Sequence, residues 1–147
     1  MLETPHVAIG AAIAVAIPNP LISIPLAFAS HFLMDMVPHW NPHISTEMKK
    51  FGKLTKPTLI FIAVDMIFAT LLTIFIAKTN PYIYLAAFMS ILPDIAEGPY
   101  FLFGWRNKYL DVVLRLQRSI QASADIFWGL TTQVVVIIAS LYWIFAK

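Results

Sequence analysis

The chain contains no cysteine, so no disulfide braces it, no thiolate can bind a metal, and the redox compartment is left unmarked. Charge is scarce as well. Asp, Glu, Lys and Arg make up 12% of the 147 residues against 59% hydrophobic ones, and the mean hydropathy is +0.75. That balance is too apolar for a soluble domain of this size, and the chain is too short for two domains. The expected class is a single integral membrane domain over residues 1–147. A basic leader is missing too: Met1-Leu2-Glu3-Thr4-Pro5 opens with an acid where a secretory signal carries Lys or Arg, and no cleavage site follows, so no removable signal peptide is expected. With a net charge of only +2, nucleic acid is not an expected partner. The placement of the charges matters more than their sum.

What is present is a series of apolar runs opened by proline. Thr4 as cap and Pro5 at the first helical position start a helix reaching Ile17, and Asn19-Pro20 repeats that start for a second helix over about residues 21–40. Residues 41–56 form a polar loop. Pro57 opens a third helix to Ala77, apolar except for Asp65, and Pro81 opens a fourth, apolar to Leu92 and interrupted over Pro93–Pro99. Residues 105–124 mix Arg and Lys with Leu, Val and Ile, as an amphipathic helix in the membrane interface would. A fifth helix spans about Ile126 to Phe145. The predicted fold is all-α, a polytopic bundle of about five membrane helices with one interfacial segment. The first helix is short, at ~1.5 Å per residue covering roughly 20 Å of a ~30 Å core, so it either thins the bilayer, tilts or re-enters.

Five crossings place the 41–56 loop and the 105–124 segment on one side. That side holds Lys49, Lys50, Lys53, Lys56, Arg106, Lys108, Arg115 and Arg118, against Lys78 and Lys147 on the other. The asymmetry predicts an inner-membrane protein of bacterial type with its N-terminus and long loops cytoplasmic.

The remaining charges gather at one depth. Ser30 to Trp40 closes the second helix with His31, Asp35 and His39 at i, i+4 and i+8, on one helical face. Counted from Pro20, these lie about 16, 22 and 28 Å into the membrane, and counted from Pro81, Asp94 and Glu97 lie about 20 and 24 Å in. Asp65 sits about 12 Å from the cytoplasmic end of its helix, and His6 starts the first helix at the same surface. Separate segments thus deliver ionisable groups to the inner half, while the outer half is nearly bare; such groups at membrane depth point to a functional site. A second regularity supports a shared site. Asn19-Pro20-Leu21-Ile22 matches Asn80-Pro81-Tyr82-Ile83, and Leu26–Ser30 matches Ala86–Ser90 one residue out of step. Helices 1–2 and 3–4 therefore read as a parallel repeat that sets Asp35 opposite Asp94.

Carboxylates and imidazoles converging in low dielectric cannot all keep their ordinary charge states, and a divalent cation removes the conflict. Imidazole and carboxylate without thiolate suit Zn²⁺, Mn²⁺ or Fe²⁺ better than Mg²⁺. The expected metal ligands are His31, Asp35 and Asp94, then His6 and His39, with Asp65 or Glu97 as base for a water acidified by the ion.

These residues also resemble a family, the bacterial inner-membrane metal-dependent hydrolases that include the LexA-regulated inner-membrane protein. The resemblance is carried by His6 with Gly10, by Leu92-Pro93-Asp94 at a cytoplasmic helix end, by the small helical membrane body and by the arginine-containing segment after it. It implies His6 and Asp94 as metal ligands and a hydrolase activity on a substrate that is poorly defined across the family. Two departures stand out: the family's second acid, two residues after Pro-Asp, is Ala96 here, and its later Arg/His-rich motif falls on Arg115-Leu116-Gln117-Arg118-Ser119, without histidine.

The expected function is a metal-dependent hydrolysis in the cytoplasmic half of the bundle, on a lipid-linked phosphate ester whose headgroup Arg115 and Arg118 would hold. Membrane lipid is the expected partner. A small ion- or proton-coupled transporter, or a non-catalytic membrane assembly protein, would share the midplane acids. His43 reads as a solvated interfacial histidine. Gln117, Gln121 and Asp125 read as the polar stripe of the interfacial helix, and Trp40, Trp105, Trp128 and Trp143 as interface anchors.

Overall fold

Asparagine and proline set the helix starts. A computed structural model describes residues 1–146, and among them the chain forms seven helices and no strand: α1 (Glu3–Ala16), α2 (Pro20–Asp35), α3 (Ile44–Phe51), α4 (Lys56–Ala77), α5 (Pro81–Phe103), α6 (Lys108–Ile120) and α7 (Ile126–Phe145). Lys147, counted above on the sparsely charged side, lies outside the described residues. The matching starts of α2 and α5 are alike in detail. The Asn19 side chain accepts the Leu21 amide at 3.0 Å and the Asn80 side chain accepts the Tyr82 amide at 3.0 Å, each with Pro in the first turn. Further along, Ser30 Oγ donates to Ala27 O and Ser90 Oγ to Ala87 O, both at 2.7 Å.

Helix α1 is the axis about which α2, α4, α5 and α7 pack. Val7 clusters with Ala69 and with Ala87 and Ile91, whereas Ala11 clusters with Ile76 and with Ile83. Residue numbers thus rise together on α1 and α4 and oppositely on α1 and α5, so α1 runs with α4 and against α5. Because the three-residue turn after α1 reverses the chain into α2, α2 runs with α5, the direction expected of the repeat. Small residues make this packing close: Ala8, Ala11, Ala86, Ala87 and Ser90 are all within 1% of full burial, which lets the backbones approach one another. At Gly10 a Cβ would stand 2.7 Å from Ser90 Oγ and 2.8 Å from Ala86 O.

The outer surface is the reverse of a soluble protein's. Ile60, Ile67, Phe68 and Leu71 on α4, and Phe127, Val135, Ile138 and Tyr142 on α7, are each more than half exposed. Continuous apolar surface of that extent marks a membrane-facing or partner-facing wall. Two helices, α4 and α7, are long and apolar enough to cross a membrane; α1 and α2 are shorter apolar helices of 14 and 16 residues. Of the five expected crossings, then, two meet the requirement by length and composition.

Several boundaries differ from the sequence reading, each for a local reason. The second helix stops at Asp35 rather than near Trp40, because Pro38 cannot continue it and disfavours helical backbone before it. His39 therefore leaves the helical face of His31 and Asp35. The fourth helix is not interrupted at Pro93–Pro99 but runs on to Phe103 with both prolines inside it, since a helix packed among others can absorb a proline. The polar loop contains the unexpected α3, with Glu47 in its first turn, Lys49 and Lys50 in its last, and Gly52 at φ 68° as its left-handed terminator. The interfacial segment is helical only over α6, where Leu114 and Gln117 turn inward.

Gly10→Val should destabilise the fold by about 1–3 kcal/mol through overpacking, read as a lower unfolding midpoint in detergent; an unchanged midpoint would mean that α1 and α5 do not touch there. Between α3 and α4, the Glu47 carboxylate accepts the Thr55 amide at 2.8 Å and the Thr55 and Thr58 hydroxyls at 2.9 and 2.7 Å. The Thr55 amide, with the hydroxyls, holds this carboxyl below its ordinary range. Its contribution is then present above the ordinary carboxylate value and lost as pH falls through the lowered folded value. Hydrogen exchange should find the Thr55 amide protected at neutral pH and released in acid, with that acid step missing in Glu47→Gln.

Candidate metal centre

Four helices and one connecting segment bring these polar groups together. His6 comes from the first turns of α1, His31 and Asp35 from the end of α2, Asp94 from α5, His39 from the stretch after α2, and Gln117 from α6. His6 and His31 are fully buried and Asp35 is 1% exposed. The two imidazoles stack with centroids 4.2 Å apart and planes 20° from parallel.

The hydrogen bonds on the far side of each ring decide which nitrogen faces the centre. His31 Nδ1 lies 2.8 Å from Ser90 O, and His39 Nδ1 lies 2.7 Å from Val37 O. A carbonyl only accepts, so each Nδ1 carries a proton, and in the neutral ring each Nε2 presents a lone pair. Those lone pairs face carboxylate oxygens: His31 Nε2 is 3.6 Å from Asp35 Oδ2 and 3.4 Å from Asp94 Oδ1, and His39 Nε2 is 3.8 Å from Asp35 Oδ1. His6 makes no hydrogen bond through either ring nitrogen, and its Nε2 stands 3.4 Å from Asp35 Oδ1. Burial, with the Met1 amino group acting in the same direction, holds His39 below the ordinary imidazole range, so its Nε2 stays unprotonated. Pro93 contributes from a distance. It lacks the amide that a helix would aim at Met89 O, one turn from the Ser90 carbonyl that meets His31.

Acceptors facing acceptors at 3.4–3.8 Å repel unless a positive charge lies between them. The spacing fits such a charge: four ligands at Zn–N and Zn–O distances of 2.0–2.1 Å in a tetrahedron stand roughly 3.3 Å from one another. His6, His31 and Asp94 form a buried group able to hold a metal ion, their ligating atoms all within 4.8 Å of one another. Asp35 closes on this group from the other side, where it also contacts the Met1 amino group. Gln117 Nε2 donates to Asp94 Oδ1 at 3.0 Å and lies 3.3 Å from His31 Nε2, the kind of outer contact that orients metal ligands. The composition of the set, imidazoles with carboxylates, suits Zn²⁺, Mn²⁺ or Fe²⁺.

The expected site residues divide by what surrounds them. His6, His31, Asp35, His39 and Asp94 meet as the sequence reading required, although His39 arrives by a loop. That loop is fixed by its neighbours: His39 N donates to Ala122 O at 3.1 Å, Ala122 N to Asp35 O at 2.9 Å and Ala124 N to His39 O at 2.8 Å. From α7, Thr132 Oγ1 donates to Pro38 O at 2.6 Å and Gln133 Nε2 to Trp40 O at 2.9 Å. Asp65 stands apart from this group. Its carboxylate accepts the Glu3 amide at 2.6 Å, the Thr4 amide at 3.3 Å and the Thr4 hydroxyl at 2.6 Å, so it caps α1 from α4. Thr4 is not the N-cap it was expected to be; Leu2 takes that position and offers no side-chain bond. Glu97 is buried with one oxygen lacking any partner, and it shares a cavity wall with Asp94 and Arg118; Arg115 does not line that cavity.

Sequence reasoning missed Gln117, which it left on the polar stripe of an interfacial helix, and it assigned no role to Glu3. Gln117 occupies the middle of the segment matched to the hydrolases' Arg/His-rich motif, and that was the available signal. Asp125 caps α7 through the Trp128 amide at 3.0 Å, and His43 is exposed, as expected. Trp40 is half-buried beside Gly129, where a Cβ would stand 2.6 Å from its own Cβ, so it packs on the loop rather than anchoring freely.

Asp65→Ala removes the α1 cap and should cost about 1–2 kcal/mol of stability while leaving the metal content of the folded protein unchanged. Loss of metal at full stability would move Asp65 from the scaffold to the centre.

No protein-family model, curated protein sequence or solved structure matches this chain, and the functional reading rests on the geometry of the site.

Proposed function

We propose that the chain is a membrane-embedded, metal-dependent hydrolase. His6, His31 and Asp94, joined by Asp35 and with His39 at the margin, hold one divalent ion, Zn²⁺, Mn²⁺ or Fe²⁺. The observation that carries this reading is the set of imidazole nitrogens and carboxylate oxygens held at ligand-to-ligand distances, with His31 and His39 turned so that Nδ1 meets a backbone carbonyl and Nε2 faces the carboxylates. The resemblance to the inner-membrane metal-dependent hydrolases, which names His6 and Asp94, supports the same centre.

In this proposal α1, α2, α4, α5 and α7 are the five crossings, tilted or thinned where short, and α3 and α6 lie at the inner interface. The chain's Lys and Arg residues between α2 and α4 and on α6 support a cytoplasmic N-terminus. The centre then lies in the cytoplasmic half, at the end of a cavity of about 380 Å³. When bound, the ion supplies Lewis acidity: it polarises a phosphoryl oxygen and brings the pKa of a water near neutrality. The protein's own groups do the rest. Gln117 fixes Asp94, the Ser90 and Val37 carbonyls fix the histidine tautomers, Glu97 is the carboxylate available as base, and Arg118 is placed to hold a phosphate. The substrate is a membrane-delivered phosphate ester.

Protein purified in detergent should carry about one tightly bound ion per chain, and His31→Ala and Asp94→Ala should lose it. Gln117→Ala should weaken affinity about 10–100-fold, as loss of an outer hydrogen bond to a ligand does. Elemental analysis with a phosphate-ester hydrolysis assay in mixed micelles checks all three. A metal-free wild type, in which the Met1 amino group alone balances Asp35, would overturn the proposal in favour of a structural ion pair.

A further inference from the structure

The cavity leading from the metal centre is lined by two kinds of wall. Leu59, Ile62, Phe101 and Leu102 make one side apolar, and Leu59 and Leu102 are also exposed on the outer surface, so this side is continuous with the lipid-facing exterior. The other side is polar and chemically one-sided. Glu3 Oε2, Asn41 Oδ1, Glu97 Oε1 and Gln117 Oε1 are all buried without a hydrogen-bond partner, and all four residues line this cavity. Each of the four is an acceptor. The other unpartnered buried side-chain atoms among the described residues are the two nitrogens of His6, which belong to the metal centre. Gln117 is only 5% exposed, and its amide is oriented by the bond from Nε2 to Asp94 Oδ1, which directs Oε1 away from Asp94.

Unpaired acceptors buried in low dielectric require donors from whatever fills the space. Water supplies donors but no charge. Glu3, Asp94 and Glu97 surround this cavity with three carboxyl groups, and Arg118 is the one Lys or Arg side chain in its lining. A primary ammonium answers both needs, with three N–H donors and a positive charge on a compact head. A quaternary ammonium has no donor, and a glycerol head brings hydroxyls without charge.

We infer that the cavity is a headgroup site for a phospholipid bearing a primary amine, its ammonium held by Glu3 with the Asn41 and Gln117 amide oxygens, its phosphate facing Arg118 and the metal centre, and its acyl chains leaving past Leu59 and Leu102. Glu97 deepens the negative potential on the same wall. The inference rests on the membrane placement proposed above and names the substrate class of that site, but binding does not require hydrolysis.

The test is native mass spectrometry of the full chain released from detergent micelles containing equal amounts of phosphatidylethanolamine, phosphatidylcholine and phosphatidylglycerol with identical acyl chains. Phosphatidylethanolamine should be retained over the other two by about tenfold, the weight of one charge-assisted hydrogen bond. Glu3→Gln should erase that preference; because Glu3 lies in the first turn of α1, Glu97→Gln serves as a second variant and should reduce it. Equal retention of the three lipids by wild type, or a preference for phosphatidylglycerol, would overturn the inference. So would an undiminished preference in folded Glu3→Gln. Metal content and hydrolytic activity of the same protein as purified, without chelation, separate the two readings: a preference in protein that carries no metal and hydrolyses no phosphate ester sinks the hydrolase and keeps the headgroup site, whereas metal-dependent activity that does not distinguish the headgroups does the reverse.

Discussion

The arrangement at the centre of this molecule is governed by proton accounting on two imidazoles. His31 and His39 each donate from Nδ1 to a backbone carbonyl, so in the neutral rings neither has a proton left for the carboxylates they face. In water such a conflict would be relieved by protonation or by solvent. Here the rings and Asp35 are buried, the Met1 amino group contacts Asp35, and the proposed divalent ion would supply the remaining positive charge among the acceptors.

The scaffold follows from what that centre demands. Its groups come from elements far apart in sequence, so α1 must be held tightly among four other helices. Small residues at Gly10, Ala86 and Ser90 bring α1 against α5, and Asp65 fixes the first turn of α1 by accepting its free amides. At the same end of α1, Gln133 accepts the Leu2 amide at 2.8 Å while donating to Trp40 O, which ties α1, α7 and the His39 loop to one side chain. The buried polar residues outside the centre are therefore chiefly devices for positioning backbone. The apolar exterior of α4 and α7 completes the same logic, since a dry surrounding is what keeps the electrostatics of the centre strong.

Much of this was legible from the chain alone. Depth counting from Pro20 and Pro81 brought His31, Asp35 and Asp94 to one level because helical rise is nearly invariant, and the Asn-Pro pairs marked α2 and α5 as similarly directed. Where the reading failed, local chemistry had outweighed pattern. Pro38 ended α2 before His39, so helical spacing placed that residue correctly near the site for the wrong geometric reason. Pro93, by contrast, did not end α5, because a packed helix can absorb a proline that an isolated one cannot. Asp65 looked like one more intramembrane acid, and spacing could not reveal that its partners are amides at Glu3 and Thr4. Gln117 was hidden because an amphipathic helix displays a polar stripe whether it faces solvent or a buried site.

The central claim, that a cation sits between the imidazole lone pairs and the carboxylates, is tested most directly by anomalous diffraction at the zinc edge from crystals of the zinc-loaded protein. The account predicts one dominant peak about 2.0–2.2 Å from a ring nitrogen of His6, from His31 Nε2 and from an oxygen of Asp94. A map whose zinc peaks lie only on the exposed His43, with His31 Nε2 found protonated and donating to Asp35, would contradict it.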